Sequence, residues 1–411
     1  MHKTLGTQSN QGRQKMMPQE TAAPLAAPTS DMGNLIRKQR EAMHMTVAHL
    51  ARLVGVSRNT LTNYESGKTE PSASDLVRLS NALGCTINDL LYVETASIPP
   101  RFAFRAHTAL RKNPSITVAA QKYLRAYNEI EEITNSRLHN KLRLFNSENG
   151  GPLTDREIEM AADTLRQTSG LHDTGPENIA RVLECLGVRT LFFEHEGKGL
   201  DGISTIQGDM ILVMLRDRKK AVERTIFSAA HELGHLALHP QLFTSDDLDE
   251  ELDIKRYERE ADKFAGNFLV PSDELVRIWQ EERLNKLTLF NALIQLKGVF
   301  HVSFHCLYRR VTELGLHNGM DRAIFMNQIK QQLGYKMSEH TKMEDLEPEP
   351  LNPEVLYRTT RFERLVQSAF LQELIGVAKV AEMLQVTVDK AQEITSNWLR
   401  PQYELVEDGS L

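Results

Sequence analysis

The chain has 411 residues, 41% hydrophobic and 25% charged, enough for two or three domains with a sizeable core. Its 49 basic and 55 acidic residues leave a net charge of −6, so no global polycation exists and nucleic-acid contact needs a local patch. No apolar run reaches the ~18–20 residues that span a bilayer. Cys85, Cys185 and Cys306 make neither a disulfide framework nor a Cys-x-x-Cys zinc clasp, so a cytoplasmic protein with no membrane partner is expected.

Residues 1–30 read as a disordered arm: Pro24 and Pro28 interrupt the one apolar stretch and no basic segment abuts it. Residues 31–93 give short amphipathic helices, with Gly55 and Gly84 as stops and Ser57 and Ser72 as starts. Residues 94–152 read as a basic, helical linker. It carries Arg101, Arg105, Arg111, Lys112, Lys122 and Arg125, then one long helix with an apolar stripe from Ile116 to Phe145.

A second globular unit spans 153–317. Helices are expected at 154–168, 176–186, 219–239 and 254–270, and strands at Val188–Phe193 and Met210–Leu215. An acidic loop occupies 245–253. Residues 318–411 read as a linker, acidic and Pro-bearing at 344–353, and a helical C-terminal unit over 360–399. No internal repeat of fixed period is visible. The whole reads as mainly α.

The strongest chemical signal is His231-Glu232-Leu233-Gly234-His235. Residues four apart share a helix face, so both imidazoles reach one ion, and their nitrogens suit Zn²⁺. Glu232, one residue round, can lean over a water at the metal as general base. His239 sits eight residues from His231, about 12 Å along the axis, too far to be a third ligand; a helix C-terminal residue or an outer partner is the expectation. The third ligand is sought on the helix bearing Ala261, Phe264, Ala265 and Phe268. Glu258 shares that buried stripe, so it is preferred over Glu260, which is expected to point to solvent. Asp262, four after Glu258, is placed to accept the outer N–H of a ligand histidine. His301, His305, Tyr257 and Arg309 stand open as oxyanion-stabilising candidates.

HELGHLALH, YEREADKFAGNFLVP and FHVSFHCLYRRVTELGL together resemble the ImmA/IrrE family of bacterial metallopeptidases. Asp201-Gly202, Glu223-Arg224, Phe227 and the tail RFERLVQSAFLQELIGVAKVAEML extend the resemblance. It implies an α+β zincin-like (gluzincin) domain that cleaves a peptide bond, often in a repressor. Carried over, it makes His231, His235 and Glu258 zinc ligands and Glu232 the catalytic base.

Residues 32–91 resemble the XRE (Cro/cI-like) helix-turn-helix family through Leu50-Ala51, Gly55-Val56-Ser57, Glu65-x-Gly67, Pro71 and Leu83-Gly84. The resemblance implies an all-α domain that lays the helix from Ser57 to about Tyr64 in the major groove. Ser57, Arg58, Asn59, Thr60, Thr62 and Asn63 would face double-stranded DNA, with Lys68 and the Arg37/Lys38/Arg40 cluster on phosphates. Val47 stands where the family usually carries Gln. Seven basic residues against six acidic over 31–91 make the module nearly neutral, so dimerisation or the segment 101–125 would add affinity. The expected function is a DNA-binding transcriptional regulator with zinc-dependent endopeptidase activity on a helix-turn-helix repressor. The alternative is a non-proteolytic transcription factor or antitoxin whose zincin-like domain is a sensor or dimer platform.

Overall fold

The computed structural model describes residues 31–43, 45–85, 87–91, 101–102, 114–145, 151–172, 175–176, 178–193, 201–216, 222–243, 254–317, 322–334, 347–352 and 360–399. The N-terminal arm, the acidic loop 245–253 and basic residues Arg105, Arg111 and Lys112 lie outside them.

The N-terminal bundle comprises α1 (Asp31–Ala42), α2 (Val47–Val54), α3 (Arg58–Glu65), α4 (Ala73–Leu83) and α5 (Ile87–Leu91). Thr46, Ser57 and Ser72 cap α2, α3 and α4 by accepting a backbone N–H three residues on, as short hydroxyls do. Gly55 and Gly84 close α2 and α4 in the left-handed region. Ile36, Leu50, Val54, Leu61, Leu79 and Leu83 fill the centre. Arg40 does not join a phosphate cluster: it is buried against Glu65, with Nε at 2.6 Å and Nη2 at 2.9 Å from its two carboxylate oxygens.

The second part is built on a four-stranded sheet of order β1-β3-β4-β2. Its strands are β1 (Arg101–Phe102), β2 (Arg189–Phe193), β3 (Gly202–Gln207) and β4 (Met210–Arg216). β2 and β4 are parallel, and β3 runs antiparallel to β4 and β1. β3 was not anticipated, because Ser204, Thr205 and Gln207 dilute its apolar alternation. Side chains of β4 alternate between two cores. Ile211, Val213 and Leu215 face one, Met210, Leu212 and Met214 the other.

The first core takes up α7 (Asp155–Ser169), α8 (Ile179–Cys185), α9 (Val222–Leu238) and α10 (Ile254–Leu269). It continues through α11 (Ser272–Glu281), α12 (Leu289–Phe300), α13 (Phe304–Glu313) and α14 (Arg322–Gln332). The second is covered by α6 (Pro114–Ile133), α15 (Arg361–Leu371), α16 (Val377–Leu384) and α17 (Val388–Leu399). The segments read as linker and C-terminal unit therefore share one core.

The long helix expected through Phe145 stops at Ile133. Asn135 turns left-handed (φ 47°), and residues 136–145 run outside regular structure. Lys141 N–H donates to Leu186 O and Phe145 N–H to Ala237 O. Ile116–Ile130 serve the second core whereas Leu142 serves the first, and one straight helix cannot line both sheet faces. The acidic stretch near 347, read as part of a linker, makes defined contacts with the first core. Glu347 accepts from Lys297 Nζ (2.5 Å) and Phe304 N–H (2.9 Å), and Leu351 N–H donates to Glu223 (2.6 Å).

The structure also carries a repeat that composition hides. α2 and α16 are both eight residues long and both end on a left-handed residue, Gly55 (φ 76°) and Gln385 (φ 55°). Val56 and Val386 follow, their N–H groups reaching Ala51 O and Ala381 O. Ser57 and Thr387 then accept from the N–H three residues on, and Leu61 and Ala391 are fully buried. One offset relates every pair. Where α3 exposes Arg58 and Asn59, α17 exposes Val388 and Asp389, so the second copy keeps the turn without the basic and amide side chains. Among the described residues no helix is long and apolar enough to cross a membrane.

Candidate functional site

α9 is buried on nearly every side: from Ala229 to Leu238 each residue is enclosed between the sheet and α10. Its two histidines thus sit in the interior, where an imidazole must find partners. Gly234 lets α10 approach. A Cβ there would lie 3.0 Å from the Phe264 ring and 3.2 Å from Ala261 Cα, so α10 packs directly on the turn between His231 and His235.

That approach brings Glu258 to the pair. His231 Nε2 and His235 Nε2 are 3.0 Å apart, and Glu258 Oε2 and Oε1 stand 3.6 Å and 3.5 Å from them. Among the described residues this is the one group of three or more His, Cys, Asp or Glu side chains spaced to hold a metal. Donors ~2.1 Å from a tetrahedral ion stand roughly 3.4 Å from one another. The His–His separation and the distance from each histidine to its nearer Glu258 oxygen bracket that edge, and two imidazoles with one carboxylate are a zinc donor set. The residues therefore fit Zn²⁺.

Outer partners complete the group. Asp262 Oδ1 is 2.8 Å from His231 Nδ1, the placement anticipated from its spacing. His239 does not join the donor set, but its Nδ1 lies 3.1 Å from His235 Nδ1. Glu260 departs from the sequence reading: it is buried, not solvent-facing, with Oε2 2.9 Å from His239 Nε2 and Oε1 accepting from Leu153 N–H at 3.3 Å. Glu258 is the more open of the two glutamates. Helical spacing located α10's apolar stripe, but neither His239 nor the 151–154 segment, which draw Glu260 inward, could be placed from it. Burial pushes the His239 imidazole down to about 4, against the pull of Glu260. For His231 burial also acts downward, but the Asp262 hydrogen bond and the Glu232, Asp262 and Glu258 charges outweigh it and hold its pKa above the ordinary value.

Glu232 is buried on the sheet side of α9. Ser204 Oγ donates to its Oε2 at 2.6 Å, and Gly202 leaves space for its side chain, since a Cβ there would come within 2.9 Å of Glu232 Cγ. Sequence reasoning missed Ser204; the available signal was its place between Ile203 and Thr205, two and three residues past the Asp201-Gly202 pair. Of the four oxyanion candidates, Tyr257 packs its ring on His239 at 4.7 Å. Arg309 Nε pairs with Glu313 at 2.8 Å. His301 caps α12 in a left-handed conformation, and His305 is the second residue of α13.

On the bundle, Ser57 is consumed as the α3 cap and its hydroxyl meets Thr60 Oγ1 at 2.8 Å. Arg58, Asn59, Thr62 and Lys68 are exposed, Thr60 and Asn63 half-buried. Arg37 pairs with Glu41 (2.9 Å) and Lys38 is exposed. Within the basic segment, Arg125 pairs with Asp89 at 2.6 Å, tying α6 to α5.

These features define two modules on one chain: a helix-turn-helix bundle, and an α+β unit whose buried HExxH helix faces a glutamate-bearing helix. Comparison with known proteins agrees. Residues 36–90 match the helix-turn-helix family model, and residues 183–312 match the model of the IrrE N-terminal-like domain, a peptidase M78 domain. An uncharacterized HTH-type transcriptional regulator, found in two strains of Mycobacterium tuberculosis, is 33% identical over 92 residues, 22% of this chain and 65% of the relative. Repressor protein C2 of Salmonella phage P22 is 38% identical over 63 residues, 15% of this chain and 29% of the relative. The chain thus spans less than two thirds of the length of each of these relatives.

Proposed function

We propose that the chain is a DNA-binding regulator carrying a zinc-dependent endopeptidase, and that it cleaves a repressor-type protein to relieve repression. The observation that carries this reading is the convergence of His231, His235 and Glu258 at separations of 3.0–3.6 Å, one residue from Glu232. The family of residues 183–312 and the names of the relatives, transcriptional regulators and a repressor, point the same way.

Zinc, when bound by these three side chains, supplies Lewis acidity toward water and the scissile carbonyl. Glu232 acts as general base: it takes a proton from water as the water oxygen bonds to the carbonyl carbon. It then delivers that proton to the amine nitrogen as the C–N bond breaks. Ser204 occupies Oε2 of Glu232 and leaves Oε1 for the proton. Asp262 orients His231. On the other module, α3 presents Arg58, Asn59 and Thr62 to the major groove, where Arg reads guanine and Asn adenine. A homodimer would double that contact.

The test is Glu232→Gln, which keeps size and polarity but cannot take the proton. The variant should keep zinc and DNA binding and lose cleavage by at least about 10²-fold. A proteome comparison of cells carrying wild type or variant should then show the substrate accumulating intact. If the variant derepresses target genes as wild type does, the peptidase reading falls and a non-proteolytic regulator stands.

A further inference from the structure

We propose that Glu260 and His239 set the tautomer of His235, and that this makes His235 Nε2 available as a metal ligand. The inference rests on the metal reading above and assigns positioning roles to two residues outside the ligand set.

A neutral imidazole carries one proton, and a metal binds the nitrogen that lacks it. His235 Nε2 is the atom turned toward His231 and Glu258. Its Nδ1 faces His239 Nδ1 at 3.1 Å. Across that contact one nitrogen donates and the other accepts, so the state of His239 decides the state of His235. His239 Nε2 lies 2.9 Å from Glu260 Oε2 in a buried contact, with side-chain exposures of 1% and 8%. A carboxylate accepts and does not donate. The His239 proton therefore sits on Nε2, its Nδ1 offers a lone pair, and His235 donates from Nδ1. The remaining lone pair of His235 is on Nε2, pointing into the donor set.

His231 reaches the same tautomer directly, through Asp262 on its Nδ1. His235 lies one turn deeper along α9: Asp262 is taken by His231 Nδ1, and Glu258 faces the Nε2 side of both rings. An imidazole at i+4 from His235 bridges the gap to Glu260 one turn further on. The Tyr257 ring, 4.7 Å from that of His239, and the Leu153 N–H on Glu260 Oε1 hold the bridge in register. Outer-shell partners of this kind tune ligand basicity and orientation.

The test uses the full-length chain. In the metal-free protein, side-chain ¹⁵N shifts should show His235 protonated at Nδ1. In Glu260→Gln the amide donates to His239 Nε2, and His235 should shift to the Nε2-protonated form. By competition with a chromogenic chelator, Glu260→Gln and His239→Phe should bind Zn²⁺ about 10–100-fold more weakly. His239→Asn puts a carbonyl oxygen where Nδ1 was and should recover most of the wild-type affinity. An Nε2-protonated His235 in the wild type overturns the proposal. So does wild-type affinity in both weakened variants. His231→Ala separates the two readings. If it too retains stoichiometric zinc, the metal centre itself is misassigned; if it loses zinc while the Glu260 and His239 variants keep it, only the tautomer role falls.

Discussion

Ser204 on β3 donates a 2.6 Å hydrogen bond to Glu232 on α9, joining the sheet to the residue proposed as base. That bond fixes where the carboxylate stands, and misplacing a reacting group by about 1 Å can cost up to about 10²-fold in rate. Ser204→Ala should therefore lower kcat for peptide cleavage by up to that order, with zinc content unchanged. Unaltered kcat, alongside a lowered Tm, would make the bond merely structural.

Arg58 and Asn59 open α3 on the exposed face of the bundle. Replacing both with Ala should reduce discrimination between a specific site and random duplex by about 1–3 kcal/mol for each lost base contact, measured at one fixed salt concentration. Binding that is indifferent to sequence before and after the change would count against the DNA-reading role.

The Arg40–Glu65 pair is bidentate and nearly sealed from solvent, with side-chain exposures of 10% and 7%. Breaking a buried pair leaves an uncompensated charge at a cost of about 3–5 kcal/mol. Arg40→Ala should lower the opening free energy of slow-exchanging amides in α2–α4 by that order, read by hydrogen exchange. Exchange in α9 and α10 should not change.

Asp75 carries a pH-dependent share of bundle stability. The Ser72 hydroxyl first, and then the Tyr64 hydroxyl and Arg78, hold its carboxyl below the usual range, outweighing burial. The folded value lies below the unfolded one, so the unfolded chain takes the proton first. The contribution is present above about pH 4 and lost as pH falls through the folded pKa. Asp75→Asn should therefore destabilise α2–α4 at pH 6 and approach wild type near pH 3; an equal difference at both would contradict the linkage.

Burial pushes the thiols of Cys85 and Cys306 up to about 12. A thiol reagent at neutral pH should modify half-buried Cys185 in the native protein and all three cysteines in denaturant. Rapid labelling of Cys306 would show that the α12–α13 packing opens readily.

The amino-acid sequence alone determined whatever depends on neighbours a few residues apart. The i,i+4 histidines of α9, the hydroxyl caps at Ser57 and Ser72, and the glycine stops at 55 and 84 are local geometry, legible from spacing. Even Asp262, meeting a histidine of another helix, followed from its distance to Glu258 on its own helix. Tertiary structure decided what depends on partners far along the chain. Glu260 turned inward because His239 and Leu153 were there to receive it. Ser204 reached Glu232 because an unanticipated strand passed beneath α9. The helix after Pro114 ended at Ile133 because its chain had to cross from one face of the sheet to the other. Periodicity says which face of an element is apolar; only packing says what that face, and its polar edge, will touch.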